Sequence, residues 1–364
     1  MARFFVARRG DLRIMVLPVL LSLFGVVMVH SASVNIAIEE FGDPNYYFRR
    51  QAILFVVGVV AMIVAASINY RVWERMASFF LIFTVGLLIF VLLSPAAGDV
   101  KSWAKLGPIV FQTSELAKLT FILFFSSWLA KRADQIRQMS TFASFGVLLA
   151  IVGGLIMLQP DFGTLAILVF IAGAMYIAAG MSWQQFGVLG LIAGMGATYF
   201  IVQAPYRLAR ILTFLNPGSD SEGVGYHLRN IHIAVGSGSW WGLGLGNSRQ
   251  KRLFLPEPHN DSIFAVITEE LGFIRSAAII MVLYYLIWVV VKLAQETDDL
   301  YARYVATGVA AWLFVQSLLN IGAMIGVVPL TGVPLPFISA GGTSLVVLLA
   351  AMGILLNISK YRRT

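Results

Sequence analysis

Residues 246–272, GNSRQKRLFLPEPHNDSIFAVITEELG, concentrate the groups that could do chemistry. Arg249, Lys251, Arg252, Glu257, His259 and Asp261 fall within thirteen residues, and Glu269 and Glu270 follow on an apolar stretch. Charged residues make up only 12% of the chain. Charge next to hydrocarbon is costly, so a cluster this dense marks a candidate active site. Asp261 stands at a wet–dry boundary beside His259 and several cations, the setting of a general base. Partial desolvation raises its proton affinity while the cations hold it down. The same position suits a helix N-cap, where Asp is favoured, and the residues alone leave both roles open. Thr268, seven residues on, shares nearly the same helical face, with Glu269 beside it.

Four further places pair polar chemistry with apolar surroundings. In FQTSELAKL, Glu115 and Lys118 are spaced i,i+3 and meet on one helical face. They form either a buried ion pair or a phosphate holder in which Glu115 positions Lys118. In QPDFGT, residues 159–164, Pro160 ends one helix and Asp161 can cap the next, within reach of the same outer face. Arg210 and Lys251 belong to the basic set of the long segment, which suits an anionic substrate. VVPLTGVPLPFISAGGTS, residues 327–344, is irregular backbone at a membrane surface, where Ser339 and the amides at Gly342–Ser344 offer an anion cradle. Arg275, inside an apolar run, is expected to pair with Glu270 or another buried acid. There is no P-loop, HExxH or GxSxG, and the four histidines are scattered, so no metal site is assigned, although a divalent cation such as Mg or Mn at Asp261 stays open.

The elements that must position these residues are membrane helices. The 364-residue chain is 59% hydrophobic, and apolar stretches of 18 or more residues recur throughout. A soluble surface needs roughly twice this much charge. The expected fold is all-α, a single polytopic membrane domain over residues 1–364 with ten spans near 14–33, 51–69, 76–95, 109–130, 141–158, 162–180, 183–203, 262–291, 303–326 and 342–358. The basic-then-apolar start reads as a retained first helix rather than a cleaved signal. Residues 204–261, between the seventh and eighth spans, form one long loop, and a loop of that length is usually functional. Fourteen lysines and arginines lie on one side of these spans. Only Arg49, Arg50, Lys101 and Lys105 lie on the other, apart from the long loop. Both termini are therefore expected in the cytoplasm and the long loop outside. Its own basic residues suit an outward-facing anionic substrate. The net charge of +8 is divided between loops in this way and does not indicate nucleic acid. The absence of cysteine excludes disulfides and thiol catalysis. GSWWGLGLG, residues 238–246, reads as an interfacial anchor.

These motifs, in this order, resemble the SEDS family of bacterial shape, elongation, division and sporulation proteins. The matching stretches are YYFRRQ (46–51), FQTSELAK (111–118), QPDFGT (159–164), FLNP (214–217) with GVGYH (223–227), the run 245–273, and 320–344 with GILLNIS (353–359). LGNSRQK is closer to the division and sporulation branch typified by FtsW than to the elongation branch typified by RodA. The resemblance implies ten transmembrane helices in the bacterial cytoplasmic membrane. It also implies a peptidoglycan glycosyltransferase that polymerises lipid II, with a class B penicillin-binding protein and other division or elongation proteins as partners. It places the catalytic aspartate at Asp261, the helix-four pair at Glu115 and Lys118, and the acid of the QPD turn at Asp161. Lys118, with Arg210 or Lys251, is then expected to stabilise the leaving pyrophosphate, and His259 and Ser339 to bind substrate. Ser102, Thr113, Asn260, Ser262, Arg275 and Ala340 depart from the usual pattern, which bears on affinity, stability and partner contacts. A lipid flippase and a non-catalytic division scaffold are the rival readings. The first would use the same charges as a translocation path, without the repeated halves that transporters often show. The second predicts that Asp261 and Lys118 are dispensable.

Overall fold

A computed structural model describes residues 10–94, 103–106, 109–216, 223–252 and 254–362. Twelve α-helices carry the fold: α1 Leu12–Phe41, α2 Tyr46–Ser67, α3 Tyr70–Leu93, α4 Thr113–Ala130, α5 Met139–Leu158, α6 Phe162–Ala178, α7 Trp183–Val202, α8 Pro205–Leu215, α9 Val224–Ser237, α10 Ile263–Glu296, α11 Leu300–Met324 and α12 Gly342–Ser359. Each expected span coincides with one of them. Among the described residues, eight (α1, α2, α3, α5, α7, α10, α11 and α12) are long and apolar enough to cross a membrane. The protein is a multi-pass, all-helical membrane protein.

Local signals set the helix ends. The side chains of Asp11, Asn69 and Asp299 accept the first free amides of α1, α3 and α11, and Ser182 and Gln185 form a reciprocal capping box on α7. α4, α11 and α12 have no separate polar face and are buried for most of their length, as expected of central helices. α7 buries almost nothing within the chain. α12 lies along α2 at very short range: a Cβ on Gly353 would overlap the Met62 carbonyl, and one on Gly58 would reach Leu349. The starts of α1 and α3 meet the end of α12 beside this contact. The Asp11 amide donates to Ser359 Oγ at 2.9 Å, the Tyr70 amide to Asn357 Oδ1 at 2.9 Å, and Arg362 pairs with Asp11 at 2.9 Å.

Three features depart from the expected pattern. Residues 109–112 do not begin the fourth helix but form the second strand of an antiparallel hairpin, Trp103–Leu106 with Ile109–Gln112. A four-residue apolar run with β-branched members fits either state, and hairpin pairing decides it. The long segment is also not simply loop, because it holds α8 and α9. α8 opens with Pro205 at its first turn, where a missing N–H costs nothing.

The third departure is that α10 is interrupted. Gly272 has φ 78° and ψ 176°, a conformation reserved for glycine, and the backbone groups released there are taken up by a neighbouring segment. The amides of Leu243 and Gly244 donate to the carbonyls of Glu269 and Glu270 at 3.0 and 2.9 Å. The amides of Phe273 and Ile274 donate to Ser239 and Trp240 at 2.9 and 3.3 Å. Irregular backbone in apolar surroundings survives only with this kind of compensation. A Cβ at Gly272 would overlap the Gly242 amide nitrogen. Gly272→Ala is therefore expected to destabilise the protein by on the order of 1–3 kcal/mol from backbone strain alone. A lowered melting temperature in detergent checks this, and an unchanged one contradicts it.

Candidate active site

The site forms where the entry to α10, the irregular strap 328–341, the lower turns of α4 and the last turns of α11 come together. Asp261 precedes the Ser262 N-cap of α10, and no side-chain capping bond is made there. The residue is half-buried, its Oδ1 is buried, and that oxygen has no partner among the described residues. Burial pushes its pKa from 3.8 up to about 6. Glu257 adds to the rise, while backbone amides and Arg210 hold it back. Asp261 is therefore a carboxylate held in place but left with its own acceptor capacity, which favours the base over the cap.

Its backbone is fixed from two sides. Asn320 on α11 donates through Nδ2 to the Asp261 carbonyl and to the Val333 carbonyl, both at 2.8 Å. Ser339 Oγ donates to the Asn260 carbonyl at 2.7 Å and accepts from the Leu335 amide at 2.7 Å, and the Ala340 amide donates to the His259 carbonyl at 2.9 Å. Ser339 thus fastens strap to loop, and its hydroxyl already serves as both donor and acceptor. Phe337, in the same strap, holds φ 66° with its ring buried, a strained conformation for a bulky residue. Strain of this kind persists only where surrounding contacts over-determine it.

One turn before Asn320, Gln316 reaches the other charged pair. Lys118 Nζ lies 2.8 Å from Glu115 Oε1, 3.0 Å from Gln316 Oε1 and 4.8 Å from the centre of the Trp312 ring. Gln316 also donates to the Pro334 carbonyl at 2.9 Å. The Glu115–Lys118 pair expected from spacing is present, and Lys118 is completely buried. Asp161 makes the helix cap expected of it and also ties α6 to α4. Its Oδ1 caps α6 at Thr164 (3.0 Å), and its Oδ2 accepts from Ser114 Oγ (2.9 Å) and Gln112 Nε2 (3.3 Å) at the start of α4. Residues 331–333 run between Asp161 and Asp261. A Cβ on Gly163 would lie 3.3 Å from the Thr331 carbonyl and 4.0 Å from Asp161 Oδ1. One on Gly332 would lie 3.7 Å from Asp261 Oδ2 and 4.0 Å from Arg210 Nη1. Gly332, at φ 69°, is glycine because its backbone demands it and because the space beside it belongs to the acid and the arginine. Arg210 is half-buried on α8 and anchored to the Leu330 carbonyl at 3.3 Å.

The remaining candidates are packed or paired within the protein. His259 packs its ring 4.3 Å from that of Tyr47, and burial lowers its pKa to about 4. It is neutral near pH 7, so its 3.7 Å approach to Glu257 is not an ion pair there. Lys251, expected near the leaving group, is spent on Glu270 (2.6 Å) and Ser31 (3.1 Å). Glu269 accepts from Ser248 Oγ and the amides of Arg249 and Gln250, which shapes the loop before Asp261. Thr268 bonds back to the Ala265 carbonyl of its own helix. Arg275 does not meet Glu270. The break at Gly272 places it on the surface, where it donates to the Trp241 carbonyl at 3.2 Å. Ser102 lies outside the described residues. Gln316 and Asn320 were not anticipated as site residues. The signal was available, since two amides one turn apart on an apolar helix need partners.

The family model for the FtsW, RodA and SpoVE cell cycle proteins matches residues 12–364, and the chain belongs to this family. It is 37% identical over 360 residues to stage V sporulation protein E of Bacillus subtilis, covering 97% of this chain and 98% of that protein. It is also 37% identical over 353 residues to a probable peptidoglycan glycosyltransferase FtsW of Trichlorobacter lovleyi, covering 96% of this chain and 93% of that one. Its fold matches a chain of a peptidoglycan synthase complex that coordinates polymerization and crosslinking, with TM-score 0.77, 26% identity and coverage of 97% and 98%. It matches the rod shape determining protein RodA of Thermus thermophilus with TM-score 0.72, 23% identity and 98% of each chain.

A raised pKa at Asp261 has two measurable consequences. A base that titrates at about 6 is active above that pH, so turnover is expected to fall as pH drops through 6. Because folding favours the protonated form, stability from this group is present below pH 3.8 and lost as pH rises through about 6. Asp261→Asn is therefore expected to melt higher than wild type above pH 6 and at the same temperature below pH 4, by thermal unfolding in detergent. The opposite ordering contradicts the assignment.

Proposed function

We propose that this chain is a peptidoglycan glycosyltransferase that polymerises lipid II into glycan strands at the outer face of the bacterial cytoplasmic membrane. The names of its relatives support the activity. The observation that carries the chemistry is Asp261: a part-desolvated carboxylate with a bare oxygen, beside Arg210 and locked by Asn320 to the helix that holds Lys118. Asp261 takes the proton from the 4-hydroxyl of the acceptor sugar as that oxygen attacks the anomeric carbon of the lipid-linked donor. Undecaprenyl pyrophosphate leaves with the negative charge, and cations facing it lower the transition state more than the ground state. Arg210 is the cation best placed for that contact. Lys118, held by Glu115, Gln316 and Trp312, contributes a fixed positive field and the geometry of the strap.

A divalent cation fits the same reading. Among the described residues no three His, Cys, Asp or Glu side chains gather as a cage. Mg is commonly held by one or two carboxylates with phosphate oxygens, and the bare oxygen of Asp261 offers one such ligand. An ion of this kind, Mg or Mn, would neutralise charge on the pyrophosphate. In the topology we propose, α1–α7 and α10–α12 are the ten spans, both termini are cytoplasmic, and α8, α9 and the loop to Asp261 face outward. The likeness to a chain of a synthase complex that polymerises and crosslinks supports a class B penicillin-binding protein as partner.

The test is glycan-strand formation from purified lipid II, resolved on gels, by the chain co-purified with a partner whose crosslinking site is inactivated. Asp261→Asn is expected to lose about 10²–10⁴-fold in rate, the usual worth of a general base. A fully active variant, or no polymer from an intact wild-type complex, overturns the reading. Lys118→Met is expected to cost about 3–5 kcal/mol of stability by stranding Glu115. The double change Glu115→Gln with Lys118→Met is expected to recover most of the melting temperature without recovering activity.

A further inference from the structure

The geometry points to Asn320 as a substrate-binding residue, whose side-chain carbonyl accepts a hydrogen bond from a sugar hydroxyl beside Asp261. This rests on the glycosyltransferase reading above and adds a contact to it. The orientation of an amide side chain is read from its hydrogen-bond partners, and here they determine both ends. The NH₂ group has two carbonyl acceptors at 2.8 Å, those of Asp261 and Val333, and a flipped amide would set its oxygen against both. Oδ1 is therefore turned away from the strap. It is buried, in a residue 2% exposed, and has no donor among the described residues.

A buried amide oxygen without a donor costs on the order of 1–3 kcal/mol, and such groups are rare unless they have a use. Gln316, one turn away on the same helix, makes the contrast. Its Oε1 takes two donors, Lys118 and Trp312 Nε1, and its Nε2 takes Pro334. The helix thus gives two donors to the oxygen of one amide and none to the oxygen of the other, on the residue that holds Asp261. Asp261 Oδ1 is equally buried and equally bare. Asn320 Nδ2 is bonded to the main-chain carbonyl of Asp261, so the two open acceptors belong to adjoining residues. Two open acceptors so placed suit neighbouring hydroxyls of one sugar ring. Asp261 takes the proton of the reacting hydroxyl, and Asn320 orients the ring through another.

A double-mutant cycle between protein and substrate separates this contact from a structural role. Wild type, Asn320→Leu and Asn320→Asp, each in complex with the partner, are assayed for strand formation on lipid II and on a series of acceptors lacking one hydroxyl each. The expected result is one analogue that is about tenfold poorer for wild type, the worth of one hydrogen bond, yet no poorer than the parent for Asn320→Leu. Asn320→Asp, which keeps an acceptor oxygen, is expected to retain discrimination against that analogue while losing rate. If every analogue lowers wild type and Asn320→Leu by the same factor, Oδ1 faces no substrate hydroxyl and the inference fails. Absence of polymer from wild type on the parent substrate overturns the enzyme reading itself, and the contact with it.

Discussion

Consecutive carbonyls in a stretch of non-helical backbone, packed among membrane helices, must find donors from somewhere other than water. Here the carbonyls are those of Val333 and Pro334, and the donors are Asn320 and Gln316, one turn apart on α11. Most of the site depends on this solution. The strap can cross the bundle only because α11 supplies amides at that spacing. Having been fixed there, it places Gly332 between Asp261 and Arg210 and carries Ser339 to the Asn260 carbonyl. The same two amides extend the connection in opposite directions, Asn320 to the backbone of Asp261 and Gln316 to the ammonium of Lys118.

Charge follows a consistent rule inside this framework. Glu115 with Lys118, and Glu270 with Lys251, are buried pairs at 2.8 and 2.6 Å, each with a third polar partner. A buried pair gains little net stability, but breaking one is expensive, so such pairs pin the segments that bear them. Lys251 and Glu270 hold the loop before Asp261 against α10, and Glu115 and Lys118 hold α4 against α11. Asp261 stands apart from these pairs. It has no ion pair at hydrogen-bonding distance among the described residues, and its acidity is set by burial more than by Arg210.

The helices were legible because their signals are local and repeated: long apolar runs, an Asp or Ser at the entrance, glycine and proline between them. The i,i+3 spacing of Glu115 and Lys118 carried their pairing, and the crowding of charge before α10 carried Asp261. What escaped the sequence depends on contacts between distant segments. Nothing near Gly272 says that residues 239–244 will donate and accept in place of its own helix. For the same reason Arg275 was given to Glu270, which Lys251 occupies instead. Lys251 and Ser339 have the residue types of ligand-binding groups, and only their packing shows that both already have partners. The hairpin at 103–112 turned on a choice between helix and strand that four residues cannot make.

The contact of α12 with α2 has a bearing on how the protein is made. α2 packs against α12, which the ribosome reaches long after it, and the Tyr70 amide waits for Asn357, 287 residues later. At roughly 5–20 residues per second, that interval is about 15–60 s. During it the first three helices sit in the bilayer with the seam of Gly58 and the face around Met62 open to lipid. Assembly is therefore not a march from the first helix to the last. Helices α1–α3 are inserted early and completed late, when the residues at the end of α12 return to lock Asp11.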